Sequence, residues 1–231
     1  MSIFKFKEFV IKHDNSAMKV GTDGVLLGSW ASCLKSDSIL DIGSESGFIS
    51  LMLGQRTVNT IITGIEIDKF AANEAKYNIN NSPWSERIQA HNISLQRFST
   101  NEKFDLIISN PPFFSSSQSD KPRCVARHHN TLSFSELIHY SSNFLAEYGV
   151  FSVIIPFDSE YYFCQKTKEY GLFCNRACYI KGNEKSKIKR VMLEFSFANS
   201  GITKEYLTIE KSRHNYTEAY VKLCKGFYLD M

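Results

Sequence analysis

Short apolar runs alternate along this chain with segments of helical spacing, and that alternation restricts it to few architectures. Ser38–Ile42 reads as a buried strand, followed by a glycine-bearing turn and an apolar helix from Phe48 to Leu53. Ile61–Ile67 reads as a second strand and Phe70–Ile79 as an alanine-rich helix. Ile88–His91, Phe104–Ser109 and Val150–Ile155 read as three further strands. Phe134, Leu137, Ile138, Ser141, Phe144 and Leu145 recur at helical spacing, Ser159–Tyr170 reads as a helix, and Val191–Phe197 reads as a late strand. Strands alternating with helices of about ten residues or more imply βαβ units and a mainly parallel sheet, hence an α/β fold. Such sheets bind ligands at the carboxyl ends of their strands. Chemistry is therefore expected at Asp41–Gly47, Glu66, Ser94 and Asn110–Phe113.

With 231 residues, the chain is long enough for one α/β domain with a real core. Its net charge of +3 permits a nucleic-acid partner without demanding one. The cysteines Cys33, Cys124, Cys164, Cys174, Cys178 and Cys224 are scattered and form no CxxC pair, so neither a zinc site nor a redox pair is expected. Free thiols in a reducing cytoplasm fit that pattern. The N-terminus lacks the apolar stretch of a signal peptide, and no run reaches the ~18 apolar residues of a membrane span. Ser115–Pro122 is polar and loop-like, and a second polar run, Lys181–Lys187, separates two strand-like segments.

Asp41-Ile42-Gly43-Ser44-Glu45-Ser46-Gly47 joins the first strand to its helix. Glycine there lets a nucleoside-type ligand approach the backbone. Glu66 ends the next strand, where a carboxylate accepts hydrogen bonds from both ribose hydroxyls of an adenosine moiety. The phosphate-binding GxGxxG pattern is absent, and Glu45 places a negative charge where a pyrophosphate would lie. That disfavours NAD and ATP and suits S-adenosylmethionine, which carries a sulfonium cation and no phosphate.

The most specific signal is Phe104-Asp105-Leu106-Ile107-Ile108-Ser109-Asn110-Pro111-Pro112-Phe113. An amino group on a purine ring is a poor nucleophile, because its lone pair is delocalised into the ring. The Asn110 side-chain oxygen and the Pro111 carbonyl are candidate acceptors for its two hydrogens, and the two prolines stiffen the backbone that holds them. Phe113 offers a face for a flipped base. Positioning and electrostatics would supply the rate, with no metal and no covalent intermediate.

The glycine turn, Glu66 and Asn110–Phe113 together resemble the amino-group branch of the Rossmann-like S-adenosylmethionine-dependent methyltransferases. The leader His13–Gly28, the segment Asn80–Trp84 and the tail segments Asn215–Tyr220 and Phe227–Leu229 resemble the bacterial tRNA1(Val) (adenine-37-N6)-methyltransferases. The resemblance covers nearly the whole chain. It implies a single methyltransferase domain over 1–231, with leader 1–35 contributing to the cofactor site and catalytic core 36–231. It implies a mostly parallel seven-stranded sheet with helices on both faces, a cytoplasmic location, and N6-methylation of adenine 37 in valine tRNA. Carried over by position, Thr22, Asp41, Gly43, Gly47, Glu66, Ser94 and Asn110 hold S-adenosyl-L-methionine. Asn110, Pro111, Pro112 and Phe113 hold the target amine in that alignment; Arg123 and Arg127, basic residues that follow the loop after the catalytic run, are expected to join Phe113 in meeting the RNA. This chain has Glu45 where that family has glycine, and Ser94 where it usually has aspartate.

Basic residues for RNA phosphates lie in two stretches, Arg123 to His129 and Lys181 to Arg190. No obligate protein partner is evident. Two other readings stay open. The same catalytic run serves enzymes acting on ribosomal RNA, DNA or a release-factor glutamine. A binding protein that has lost catalysis would also keep the cofactor turn.

Overall fold

A computed structural model describes residues 2–14, 19–112 and 132–231. A hairpin of β1 (Ile3–Lys5) and β2 (Val10–Lys12) opens the chain, followed by α1 (Thr22–Trp30). The alternating core follows: β3 (Ser38–Ile42), α2 (Phe48–Arg56), β4 (Ile61–Glu66), α3 (Lys69–Asn80), β5 (Ile88–Asn92) and β6 (Phe104–Ser109). After it come α4 (Phe134–Phe144), β7 (Leu145–Pro156), a 3-10 turn at Phe157–Ser159, and α5 (Glu160–Glu169). The chain ends with β8 (Phe173–Asn183), β9 (Ile188–Ser196), β10 (Thr203–Ser212), β11 (Asn215–Tyr216) and α6 (Glu218–Cys224).

One sheet carries nine of these strands in the order β11-β10-β8-β9-β7-β6-β3-β4-β5. The pairs β3–β4, β3–β6, β4–β5, β6–β7 and β8–β10 are parallel. The pairs β7–β9, β8–β9 and β10–β11 are antiparallel. The expected seven strands form the run from β8 to β5, and the mostly parallel character holds. The sheet is larger than expected because β10 and β11 extend it beyond β8.

Strand alternation divides the core between two faces. Leu106 and Ile108 of β6 join one cluster with Val25 of α1, Leu51 of α2, Ala75 of α3 and Tyr220 of α6. Ile107 of β6 joins the opposite cluster, with Leu137 of α4 and Phe163 of α5. Each such buried side chain contributes about 1.5–3 kcal/mol of transfer free energy, so a register slip in β6 would cost both faces at once. Helix α1 packs against α2 so closely that a Cβ at Gly24 would lie 2.2 Å from Phe48. Gly24 and Gly28, where a Cβ would lie 2.8 Å from Met52, therefore serve packing. Among the described residues, no helix is long and apolar enough to cross a membrane.

Helix caps tie the elements to the carboxyl rim of the sheet. Asp68 caps α3 by accepting from the Ala71 amide at 2.8 Å. Ser133 and Glu136 form a capping box at the start of α4. The Asn78 side chain on α3 donates to the Lys12 and Ser46 carbonyls and accepts from the Lys12 amide, all at 2.8–2.9 Å. One buried amide thus joins the N-terminal hairpin to the turn after β3.

Candidate active site

In-register pairing brings the strand ends together. Ile42 of β3 lies opposite Ile65 of β4 and Ser109 of β6, and Glu66 lies opposite Asn92 of β5. The Ser109 hydroxyl donates to the Ile42 carbonyl at 2.9 Å, which fixes β6 against β3 just before Asn110. A cavity of about 220 Å³ opens over these ends. Gly43, Glu66, Ser94, Asn110, Pro111 and Pro112 line it, and so does Glu45.

The turn after β3 is built from left-handed backbone. Gly43 has φ 74°, Glu45 φ 46° and Gly47 φ 80°. At Gly47 a Cβ would also lie 3.3 Å from Ala75 of α3, so glycine is required there on two counts. The Gly43 and Ser44 amides both donate to the Ile65 carbonyl, at 2.9 and 3.1 Å, which holds the turn against the end of β4. Glu66 accepts from the Glu45 amide at 3.0 Å and from the Asp68 amide at 2.8 Å, one bond to each carboxylate oxygen. The turn, the carboxylate and the cap of α3 therefore form one hydrogen-bonded unit.

Three acids converge at this turn. Asp41 is fully buried behind it, with Oδ2 accepting from the Ser50 hydroxyl at 2.6 Å and Oδ1 lacking a partner among the described residues. Burial, and to a lesser degree the charge of Glu66, push the Asp41 carboxyl up to about 7 against the Ser50 hydrogen bond. Burial first, and then the charges of Glu66 and Asp41, push Glu45 up to about 8. Burial also raises Glu66, opposed by the amides of Asp68 and Glu45. Such a cluster favours a cationic ligand, which would hold all three in the ionised form.

Glu45 is a non-glycine residue in the left-handed region, which costs an L-residue about 1–2 kcal/mol. Glycine recovers that cost less ~0.5–1 kcal/mol of extra chain entropy. Glu45→Gly is expected to stabilise the ligand-free protein by about 1 kcal/mol, a rise in Tm of ~2–4 °C for a chain of this size. A thermal melt checks it, and an unchanged or lower Tm would contradict the strain.

Asn110 follows β6 and lines the cavity. Its side-chain oxygen is buried and has no hydrogen-bond partner among the described residues. A buried acceptor left unpaired costs about 1–3 kcal/mol unless a ligand donates to it. Ser94 reaches the same cavity from the segment after β5. Of the residues expected to hold a ligand, the structure brings Gly43, Glu66, Ser94 and Asn110 to the cavity, while Asp41 and Gly47 stand in the turn behind it. Thr22 lies elsewhere, at the start of α1, lining a second cavity of about 480 Å³ beside Gly182 and Tyr220. Phe113, Arg123, Arg127 and Cys124, with the polar loop 115–122, fall outside the described residues.

The bracing role of Asn78 and of Glu74, which is buried and accepts from the Asp14 amide at 2.7 Å, was not anticipated. The available signal was a polar pair on the otherwise alanine-rich face of α3. Among the described residues, no group of three or more His, Cys, Asp or Glu side chains is placed to hold a metal ion.

A family model for the methyltransferase small domain matches residues 19–162. The chain is 41% identical to a tRNA1(Val) (adenine(37)-N6)-methyltransferase of Pseudoalteromonas translucida, covering 100% of each chain. It is 44% identical to the protein of the same description from Phocaeicola vulgatus, over 99% of this chain and 98% of that one. Among solved structures, a predicted O-methyltransferase from Agrobacterium tumefaciens superposes with a TM-score of 0.67 at 18% identity, covering 89% of this chain and 96% of that one. Pyrococcus horikoshii TYW2, solved in complex with MeSAdo, superposes with a TM-score of 0.61 at 15% identity, over 85% and 72% of the two chains. At such identities these two superpositions speak for the fold alone.

Proposed function

From a chain that belongs to the methyltransferase small domain family and, within it, to the tRNA1(Val) (adenine(37)-N6)-methyltransferases, we infer an enzyme that methylates the N6 amine of adenine 37 in tRNA1(Val). The observation that carries the reading is the buried Asn110 oxygen, without a partner among the described residues, in a residue that lines one cavity with Glu66.

The cavity suits S-adenosyl-L-methionine as methyl donor. A Cβ at Gly43 would meet no protein atom within 4 Å, so the turn leaves open space at the cavity wall. The raised acids Asp41, Glu45 and Glu66 match a cationic ligand. Glu66 would accept the ribose hydroxyls with the lone pairs that its two amide bonds leave free. Ser94 would accept from the adenine amine, more weakly than a carboxylate. When bound, this cofactor supplies a methyl group on a sulfonium sulfur and departs as the neutral thioether.

The protein's part is to hold the amine. Asn110 Oδ1 accepts one N–H and the Pro111 carbonyl the other, which favours a pyramidal nitrogen whose lone pair is withdrawn from conjugation with the ring and free to take the methyl group. Pro111 and Pro112 hold the acceptors fixed, so little reorganisation is needed as the C–N bond forms. One amine proton then passes to solvent. Phe113 is proposed as the stacking face for the flipped base, and Arg123 and Arg127 as phosphate contacts. The whole chain 1–231 acts as one unit, with leader 1–35 braced on the turn through Asn78. Thr22 keeps a place in the proposal only as a residue of the rim. The enzyme works in the cytoplasm and needs no obligate protein partner.

Incubation with methyl-labelled S-adenosylmethionine and either unmodified tRNA or release-factor protein tests the substrate class. Label is expected in tRNA. Label in the protein alone would move the same chemistry to a glutamine amide.

A further inference from the structure

The carboxyl rim of the sheet extends well past the catalytic cavity. β9 is antiparallel to both β7 and β8, so β8 runs parallel to β7, and β10 runs parallel to β8. The carboxyl ends of β8 and β10 therefore emerge on the same edge as Asn110. From β6, β8 is three strand spacings away and β10 four, about 14 and 19 Å at the usual strand separation.

Two turns project from this extension. The β8–β9 turn and its flanks carry Lys181, Lys185, Lys187 and Lys189, and the end of β10 carries Lys211 and Arg213. All but the half-buried Lys181 are exposed. Lys211 faces Glu218 at 3.9 Å in an exposed pair, which is worth little. Lys181, Lys185, Lys187, Lys189 and Arg213 make no ion pair among the described residues. The acids on the same turns are Glu184, Glu210 and Glu218, and the cavity between the turns adds Lys5 and Asp230, so seven cations stand against four anions. Between the turns lies the second cavity, with Gly182 and Glu210 at its strand ends and Tyr216, Tyr220 and Tyr228 in its wall. The Tyr216 and Tyr220 rings are 5.2 Å apart. Lysines around a hollow whose half-buried Tyr216 and Tyr228 rings stand over the buried Tyr220 suit a phosphate backbone with unpaired bases beside it.

We propose that the rim formed by the β8–β9 and β10–β11 turns, with the tyrosine-lined cavity between them, is the face on which the RNA backbone docks while its target base enters the cavity at Asn110. This rests on the RNA-methylating reading above. It makes the β10–β11 extension, which the parallel core does not need, part of the substrate site. It also gives Lys185, Lys187 and Arg213 a role in affinity and none in the chemical step.

The test is the triple variant Lys185→Ala/Lys187→Ala/Arg213→Ala in the full chain. It is compared with Lys35→Ala/Lys204→Ala, whose exposed lysines lie towards the amino edge of the sheet. Binding of unmodified tRNA is measured across a salt series, with S-adenosylmethionine affinity as the check on folding. The triple variant is expected to bind tRNA about tenfold more weakly, and to flatten the slope of log K against log salt by about 2. KM for tRNA should rise with kcat and cofactor affinity unchanged, and the control variant should match wild type. Wild-type tRNA affinity and salt slope in the triple variant would overturn the docking face alone. A wild-type protein that neither binds nor methylates tRNA would overturn the functional reading, and this proposal with it.

Discussion

Replacing Asn110 by alanine is expected to lower the rate of methyl transfer by about 10²–10³-fold, while S-adenosylmethionine affinity stays within about threefold. The expectation follows from where the side chain stands. Its oxygen is buried and has no protein partner among the described residues, and the residue lines the cavity. Removing it therefore breaks no described bond, and it relieves an unpaired acceptor. The fold should be no less stable, and the loss should fall on the step in which the amine becomes a nucleophile. Asn110→Asp keeps an acceptor at the same place and should recover part of the rate. Single-turnover transfer paired with calorimetry separates the two terms. Equal losses in cofactor affinity and rate would instead make Asn110 a cofactor ligand only.

The second large effect is on pH dependence. Asp41 titrates at about 7 and Glu45 at about 8, and Glu66 is also raised, all chiefly by burial. Without ligand, the folded protein binds more protons than the unfolded chain between the ordinary carboxylate range near 4 and these values. The stability that these groups contribute is therefore present at low pH and is lost as pH rises through about 7 to 8. A cation in the cavity favours the ionised forms, so its binding releases protons and tightens over the same window. S-adenosylmethionine and S-adenosylhomocysteine share the amino group and differ in the permanent sulfonium charge. Their affinity ratio should accordingly rise in favour of the sulfonium by about tenfold or more between pH ~6 and ~9. Glu45→Gly should flatten that rise. Glu66→Gln should weaken both ligands by about 10–100-fold, since it removes a charge-assisted acceptor and disturbs the Glu45 and Asp68 amide bonds. A ratio constant with pH would show that the acids do not face the sulfonium.

The parts of this molecule legible in the sequence are those where one local rule dominates. β3 and β6 fall on the expected residues because each is a short, mainly apolar run ended by a turn. The placement of Glu66, Ser94 and Asn110 at one cavity followed from the parallel topology alone. Other elements obey no such rule. α1 is buried almost all round, so its sequence shows no helical stripe. β10 buries only Leu207 fully, so its run lacks the strict alternation of a core strand. The left-handed backbone at Glu45 is invisible in the residue itself, because glutamate does not announce a positive φ. Thr22, which the resemblance places near the ribose, stands at the start of α1 and lines the second cavity.

On the proposed reading, the Asn110 oxygen and its neighbours present an adenine amine of tRNA to a sulfonium-bound methyl group. Mass spectrometry of nucleosides from unmodified tRNA1(Val), treated with protein and labelled cofactor and mapped by nuclease fragments, tests it directly. Labelled N6-methyladenosine is expected at position 37, the position in the relatives' description, and none with Asn110→Ala. Label on a different base, or on no tRNA nucleoside while the cofactor binds normally, would contradict it.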